Sequence, residues 1–278
     1  MSESVTPHVT LRTAAYGRNA GLLAFLFGAA GRAELSGVAL TRLLGTFGVG
    51  ESAVRALLAR MRRAGDVTGA RHGRTVHYRL AGRFAAGFAR IEAGAGRAAP
   101  VWDGAFHALL YQVPEEHRPF RDALRRTAVL TGYGQLQPGV LIALADRTEH
   151  LAEVLDRRPD GARIQPARLA FSPEEAAAAA SAAWDLPGLG AAYRGHLERM
   201  RAALAGTARP PADGATLVRM AELTMAPMVD TLGDPGLPPE LLPADWPLPD
   251  LWQAIGRVHE RYGPPAAAYV ERVLAGEA

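Results

Sequence analysis

The chain has 278 residues, 49% of them hydrophobic and 21% charged, a balance that supports packed cores and excludes a disordered polymer. It contains no cysteine, which excludes disulfides, thiolate metal sites and cysteine nucleophiles. The formal net charge of +3 conceals a segregation: residues 1 to 95 hold 13 arginines against 5 acidic residues, a net of +8, and the remainder carries −5.

A chain of this length suggests two or three domains. The apolar runs are too short to span a bilayer, and the N-terminus lacks the apolar core of a secretory signal, so a soluble, cytoplasmic protein with no membrane partner is expected. Residues 1 to 20 read as a flexible N-terminal arm. From Gly21 to Ala30 the run LLAFLFGAA predicts a helix, and Ser36 to Leu44 a second, shorter one carrying Val38, Leu40, Leu43 and Leu44. The segment GTFGVG supplies a glycine-bearing turn before a third helix.

In that third helix Val54, Leu57, Leu58 and Met61 recur at i, i+3, i+4 and i+7, which makes a core-facing stripe. Ser52, Arg55, Ala56, Ala59, Arg62 and Arg63 fall on the other side. Small residues there permit close approach to a DNA groove, and guanidinium groups reach phosphates or guanine edges. Gly65 ends the helix, with cations at the negative end of its dipole. Val67, then Val76, Tyr78 and Leu80, read as two strands around Gly69, Arg71, His72, Gly73 and Arg74, a hairpin with a cationic tip. Helix, helix, turn, helix and hairpin is the winged helix-turn-helix order, here over residues 21 to 95. Concentrated positive charge on this segment is the footprint of a polyanion-binding surface; the plain alternative is a small helical domain with solvated arginines.

The segment GAGRAAP, residues 94 to 100, marks a boundary. Beyond it, Val101 to Val113 reads as a strand, Glu115 to Leu130 as a helix, Tyr133 to Leu144 as two short strands, Thr148 to Leu155 as a helix and Arg163 to Phe171 as a strand. This βαββαβ order predicts a ferredoxin-like domain over residues 100 to 172. Residues 173 to 278 are expected to form a helical domain: an alanine-rich helix capped by Ser172 and ending near Trp184, then Leu189 to Leu204, Ala215 to Val229, a proline-rich irregular stretch, Trp252 to Arg261 and a last helix opened by Pro264 and Pro265. The fold class expected is α+β.

GESAVRALLARMRRAG, then WDGAFHALLYQVPEEHRPFRDALRRTAVLTGYGQLQPGVLIAL, then WDL at 184 to 186 and GDPGLPPELLPADWP at 233 to 247, in that order, resemble the PaaX family of bacterial transcriptional regulators. The resemblance runs from about Gly21 to Leu274. It implies an N-terminal winged helix, a central domain similar to the small subunit of the CRISPR adaptation complex, and a helical C-terminal domain. It also implies a dimeric repressor of phenylacetate catabolism, released from operator DNA by phenylacetyl-coenzyme A. Ser52 and Arg55 fall in the family's S-A-V-R helix segment, and Arg71 and Arg74 in its wing. Met225 to Leu232 departs from the more basic, aromatic pattern of the family, so a different acyl-coenzyme A or another effector stays open.

Candidate effector contacts are Trp102, Tyr133 and Trp184, as aromatic surfaces, and Arg118, Arg121 and Arg125, which share a helix face suited to the phosphates of a coenzyme A. Core packing for the aromatic residues, and a solvated or ion-paired face for the arginines, are the plain alternatives. Gly132, Gly134 and Gly139 lack the third glycine of a phosphate loop, since Gln137 stands in its place. His259 and Glu260 have no second histidine at zinc-protease spacing, and Asp103 reads as a turn cap. No metal, cofactor or catalytic residue is expected. The reading is a homodimeric repressor of double-stranded operator DNA; the alternatives are an enzyme hydrolysing nucleic acid or a thioester with the central domain, and a non-specific DNA-architectural protein.

Overall fold

The computed structural model describes residues 7–93 and 101–276; the boundary expected at residues 94 to 100 and the first six residues of the expected arm lie outside them. Helix α1 spans Pro7–Ala30, so it begins well before Gly21 and takes in residues expected to be flexible. Its described apolar side chains Leu22, Leu23, Leu26 and Phe27 are buried. The chain then forms strand β1 (Leu35–Ser36), α2 (Gly37–Thr46), α3 (Glu51–Arg63), β2 (Val67–His72), β3 (Thr75–Leu80) and α4 (Gly82–Ala93). Ser36 caps α2 by accepting the Ala39 N–H at 3.1 Å.

Helix α3 exists for the reason its spacing gives: Val54, Leu57, Leu58 and Met61 are all buried. Each buried side chain of this kind contributes about 1.5–3 kcal/mol of apolar transfer energy. Past Arg63, the Asp66 N–H returns to the Met61 carbonyl at 2.9 Å and the Gly65 N–H to that of Arg62 at 3.2 Å. This helix stop requires the left-handed backbone of Gly65, φ 75°. Strands β1, β3 and β2 form a three-stranded antiparallel sheet in that order.

Contacts divide the chain into two compact units. One holds Thr13–Arg97, Ala192–Leu232 and Pro247–Ala278; the other is built on Ala98–Ala191 with Gly233–Trp246. The segment expected as a separate C-terminal domain, 173 to 278, is therefore shared between them. In the first unit, α9 (Gly214–Leu232) packs on α10 (Leu248–Ala275) and on α4, and α10 meets α2, where Tyr269 Oη and Thr46 Oγ1 lie 3.0 Å apart. Arg32 and Glu271 close a further pair at 2.7 Å. Helix α10 is continuous where two helices were expected, with Pro264 and Pro265 inside it. The prolines remove N–H donors, but the buried face of Val258, Tyr262, Pro265, Ala266 and Val270 runs across them, and burial carries the helix through.

The second unit contains β4 (Ala105–Gln112), α5 (Arg118–Leu130), β5 (Gly134–Gln137), β6 (Val140–Ala143), α6 (Ala152–Leu155) and β7 (Arg163–Ala170), followed by α7 (Pro173–Ala183). Short 3-10 turns, Glu115–His117 and Thr148–Leu151, lead into α5 and α6. The sheet order is β5-β6-β4-β7 with every pairing antiparallel, so β4 and β6 are central and each helix crossover skips one strand. Alternation along β4 sends Phe106 and Ala108 into one apolar layer and Leu109, Tyr111 and Val113 into the other. Helices α5 and α6 and the 3-10 turn before α6 fill the second layer with Leu124 and Ala128, Val154, and Leu151 respectively. The alanine face of α7 covers the first, and α7 starts at a capping box in which Ser172 and Glu175 satisfy each other's backbone N–H groups. Helix α8 (Leu186–Leu204) begins in this unit and ends in the other.

Candidate nucleic-acid interface

All six residues assigned to the free side of α3, Ser52, Arg55, Ala56, Ala59, Arg62 and Arg63, are exposed, as are Arg71, His72 and Arg74 of the hairpin. Residues Gly73 and Arg74 form the two-residue loop between paired His72 and Thr75. Gly73 at φ 61° with Arg74 on the negative side is the turn geometry whose twist matches the flanking strands, and it places Arg74 at the outer end. Arg71 Nε braces the loop by donating to the Gly73 carbonyl at 3.2 Å.

Between α3, α2 and β3 runs an open cleft of about 820 Å³. Arg55, Ala59, Arg62, Arg63 and Arg74 line it, so the geometry brings the helix and the hairpin turn to one surface. Arg42 and Val38 of α2 line it too, and sequence reading missed both as interface residues. Val38, part of the apolar pattern of this helix, is 52% exposed, and four positions on, one helical turn away, stands Arg42. The single carboxylate in the lining is Glu51, which forms an i,i+4 ion pair with Arg55. Arg42, Arg60, Arg62, Arg63 and Arg74 have no carboxylate within 4 Å among the described residues. Five arginines and one glutamate around a concave wall make a strongly positive seat for a phosphate backbone.

The inner face of the hairpin is shaped by aromatic packing. Gly69 sits opposite Tyr78, and a Cβ there would lie 3.3 Å from Val76 and 3.4 Å from the Tyr78 ring. On the outer face, Glu34, from the turn between α1 and β1, accepts from Arg79 Nε at 2.9 Å and Nη2 at 2.5 Å. The Arg79 hydrogen bond holds the Glu34 carboxyl below the usual carboxylate range, against the opposing effect of partial burial. Sequence reading gave Glu34 no role, because its partner lies 45 residues away.

The candidate effector residues do not converge. Trp102 and Trp184 flank Phe106, with ring centroids 4.5 and 6.0 Å from it, and pack as partly buried members of the first apolar layer of the central sheet. Tyr133 is buried in the layer on the other side of that sheet. Arg121 donates to Glu115 at 2.7 Å, Arg118 lies 3.8 Å from Asp122, and Arg125 is exposed. The core-packing and ion-paired alternatives describe these aromatics, Arg118 and Arg121. Asp103 accepts the Ala105 N–H at 3.2 Å and Arg168 Nη2 at 2.7 Å, and the Arg168 bond first, the backbone bond second, lower its pKa. It is a turn cap and ion-pair acceptor, a poor general acid. His259 Nδ1 bonds the Ile255 carbonyl one turn back at 2.9 Å. Among the described residues, no helix is long and apolar enough to cross a membrane.

Three family models match the chain in order: PaaX-like protein over residues 20–84, the PaaX protein central Cas2-like domain over 99–177, and the PaaX-like protein C-terminal domain over 184–272. Among solved structures, the chain is similar to the uncharacterized protein Rv0674 from Mycobacterium tuberculosis, at 26% identity and a TM-score of 0.56, covering 92% of this chain and 96% of that one. No curated protein gave a match. With all three models aligned in sequence order along nearly its whole length, the chain belongs to the PaaX family of transcriptional regulators.

Proposed function

We propose that this regulator is a sequence-specific repressor that binds double-stranded operator DNA through its N-terminal segment, read as a winged helix-turn-helix. The observation that carries the reading is the arginine-lined cleft between α3 and the hairpin, which holds one carboxylate. In this reading α3 enters the major groove, with Ser52, Arg55 and Ala56 nearest the base edges. Arg42, Arg62 and Arg63 contact the backbone beside it, and Arg74, with Arg71 and His72 behind it, clamps the phosphates next to the wing. Arg55 exchanges Glu51 for a guanine edge or a phosphate on binding.

The antiparallel β5-β6-β4-β7 order, with the crossover helices α5 and α6 on one face, supports a ferredoxin-like central domain. We take the protein to act as a homodimer, spanning half-sites about one helical turn or a multiple apart. An acyl-coenzyme A, phenylacetyl-coenzyme A in the first instance, releases it by binding more tightly to a state that does not span both half-sites. Asp103, paired with Arg168, gives a hydrolytic reading of the central domain no support.

The test is a gel shift of the full chain on DNA from upstream of its own gene, against a random duplex of equal length, titrated with phenylacetyl-coenzyme A and other acyl-coenzyme A thioesters. Tight binding to the upstream DNA alone, relieved by one thioester, is expected. Equal affinity for both duplexes, unmoved by any thioester, identifies an architectural protein instead.

A further inference from the structure

We propose that Glu34 is a positioning residue for the wing and that, with His72 and His77, it forms a latch whose protonation strengthens the wing's grip on DNA. The proposal rests on the DNA-binding reading of the hairpin. The strand register pairs Ala70 with His77 and His72 with Thr75, which makes His72 and His77 diagonal neighbours on the outer face of the hairpin, with Arg79 next along β3. Their rings stack, centroids 4.8 Å apart and 25° between planes. Glu34 reaches over this face. One carboxylate oxygen, Oε2, is taken by Arg79. The other, Oε1, is buried, has no hydrogen-bond partner among the described residues, and lies 3.5 Å from His72 Nε2 and 3.4 Å from His77 Nδ1.

A buried carboxylate oxygen without a donor is costly, and the two imidazole nitrogens stand just beyond bonding distance. A proton on either ring turns that approach into a charge-assisted hydrogen bond, which closes to about 2.7–2.9 Å. Histidine changes charge between about pH 5 and pH 8, and the Arg79 hydrogen bond keeps Glu34 ionised throughout that range. The charged and titratable groups on this face are Glu34 from the turn, His72 from β2, and His77 and Arg79 from β3. His72 adjoins the loop of Gly73 and Arg74, and its side chain is 58% exposed. The proton therefore fixes the end of β2 that supports the wing and adds one positive charge where phosphates arrive.

The test measures binding of the full chain, by fluorescence anisotropy, to labelled upstream and random duplexes across a salt series at about pH 5.8 and pH 7.8. Wild type is compared with Glu34→Gln, His72→Gln and His77→Gln, each checked for an unchanged melting profile. Wild type is expected to bind about eightfold more tightly at the lower pH in 0.1 M salt, with a salt slope steeper by about 1, the signature of one more neutralised phosphate. The tightening at the lower pH is expected to shrink in Glu34→Gln, which keeps the histidines but loses their acceptor, and in each histidine variant, most in His72→Gln beside the loop. The same pH response in all four proteins overturns the latch. If neither duplex is bound at any pH, the DNA-binding reading fails by itself, and the latch is judged by NMR titration of the histidine rings. Ring titration of His72 and His77 that moves to lower pH in Glu34→Gln supports it, and ring titration unchanged by that substitution overturns it.

Discussion

Four arginines of the central unit turn to carboxylates: Arg121 to Glu115 at 2.7 Å, Arg157 to Glu153 at 2.5 Å, Arg168 to Asp103 at 2.7 Å, and Arg118 to Asp122 at 3.8 Å. Around the cleft of the N-terminal segment, Arg42, Arg62, Arg63 and Arg74 have no carboxylate within 4 Å among the described residues, and the one acid present is already paired with Arg55. The residue type is the same in both places, and the difference lies in its neighbours. Paired guanidinium groups cancel their field within a few ångströms, whereas several unpaired ones on a concave wall add theirs and attract a polyanion. Segregated charge in a nearly neutral chain thus has a structural cause, the near absence of acids around one cleft.

The contrast is broken most severely by removing the unpaired set. Replacing Arg62, Arg63 and Arg74 together by alanine should reduce the salt slope of DNA binding by about 3 and lower affinity by roughly two to three orders of magnitude for all sequences, measured by anisotropy over a salt series. Arg55→Ala should cost about 1–3 kcal/mol of discrimination between upstream and random DNA if it reads a base edge, with a smaller change in slope. In the central unit, Gly134→Ala should destabilise without touching the DNA surface. Its new Cβ would lie 2.7 Å from the Trp184 indole and 2.9 Å from the Ala183 Cβ. Overpacking of this kind costs about 1–3 kcal/mol, to be read from denaturant unfolding. Ser172→Ala, which opens the capping box of α7, should cost about 1 kcal/mol in the same experiment.

Least in effect, Arg168→Ala should leave DNA affinity and its salt slope unchanged, because surface ion pairs contribute little. Acid sharpens the same comparison. The carboxyls of Asp103, Glu115 and Glu175 are held below their ordinary values by hydrogen bonds from Arg168, Arg121 and Ser172, so each contributes stability that is present above the unfolded-state value and lost as pH falls through the depressed one. The melting temperature should therefore be insensitive to these groups from neutral pH down to the ordinary carboxylate range of about 4, and decline below it.

Much of this was legible in the sequence where a short period decides the structure. The stripe of Val54, Leu57, Leu58 and Met61 fixed both the helix and the side of it left exposed, and the apolar runs of β4 to β7 yielded strands within a few residues of their observed ends. Legibility failed where partners are distant. Glu34 acquires its role from a hairpin some 40 residues on, and Arg42 from the wall that α3 and β3 build beside it. It failed also where burial overrides a local signal: Pro264 and Pro265 read as a helix start, yet the apolar face of α10 passes straight through them. The aromatics assigned to an effector looked alike in sequence, but Trp102 and Tyr133, each just outside a strand, pack in layers on opposite sides of the sheet.

The measurement that bears most directly on the cleft as the DNA-binding surface is a paired salt series on wild type, the Arg62, Arg63 and Arg74 triple-alanine variant, and an Arg121, Arg157 and Arg168 triple-alanine variant, each binding its upstream duplex. The cleft variant is predicted to lose about 3 from its salt slope while the central-unit variant keeps the wild-type slope. Equal losses in both variants, or none in the first, would contradict the account.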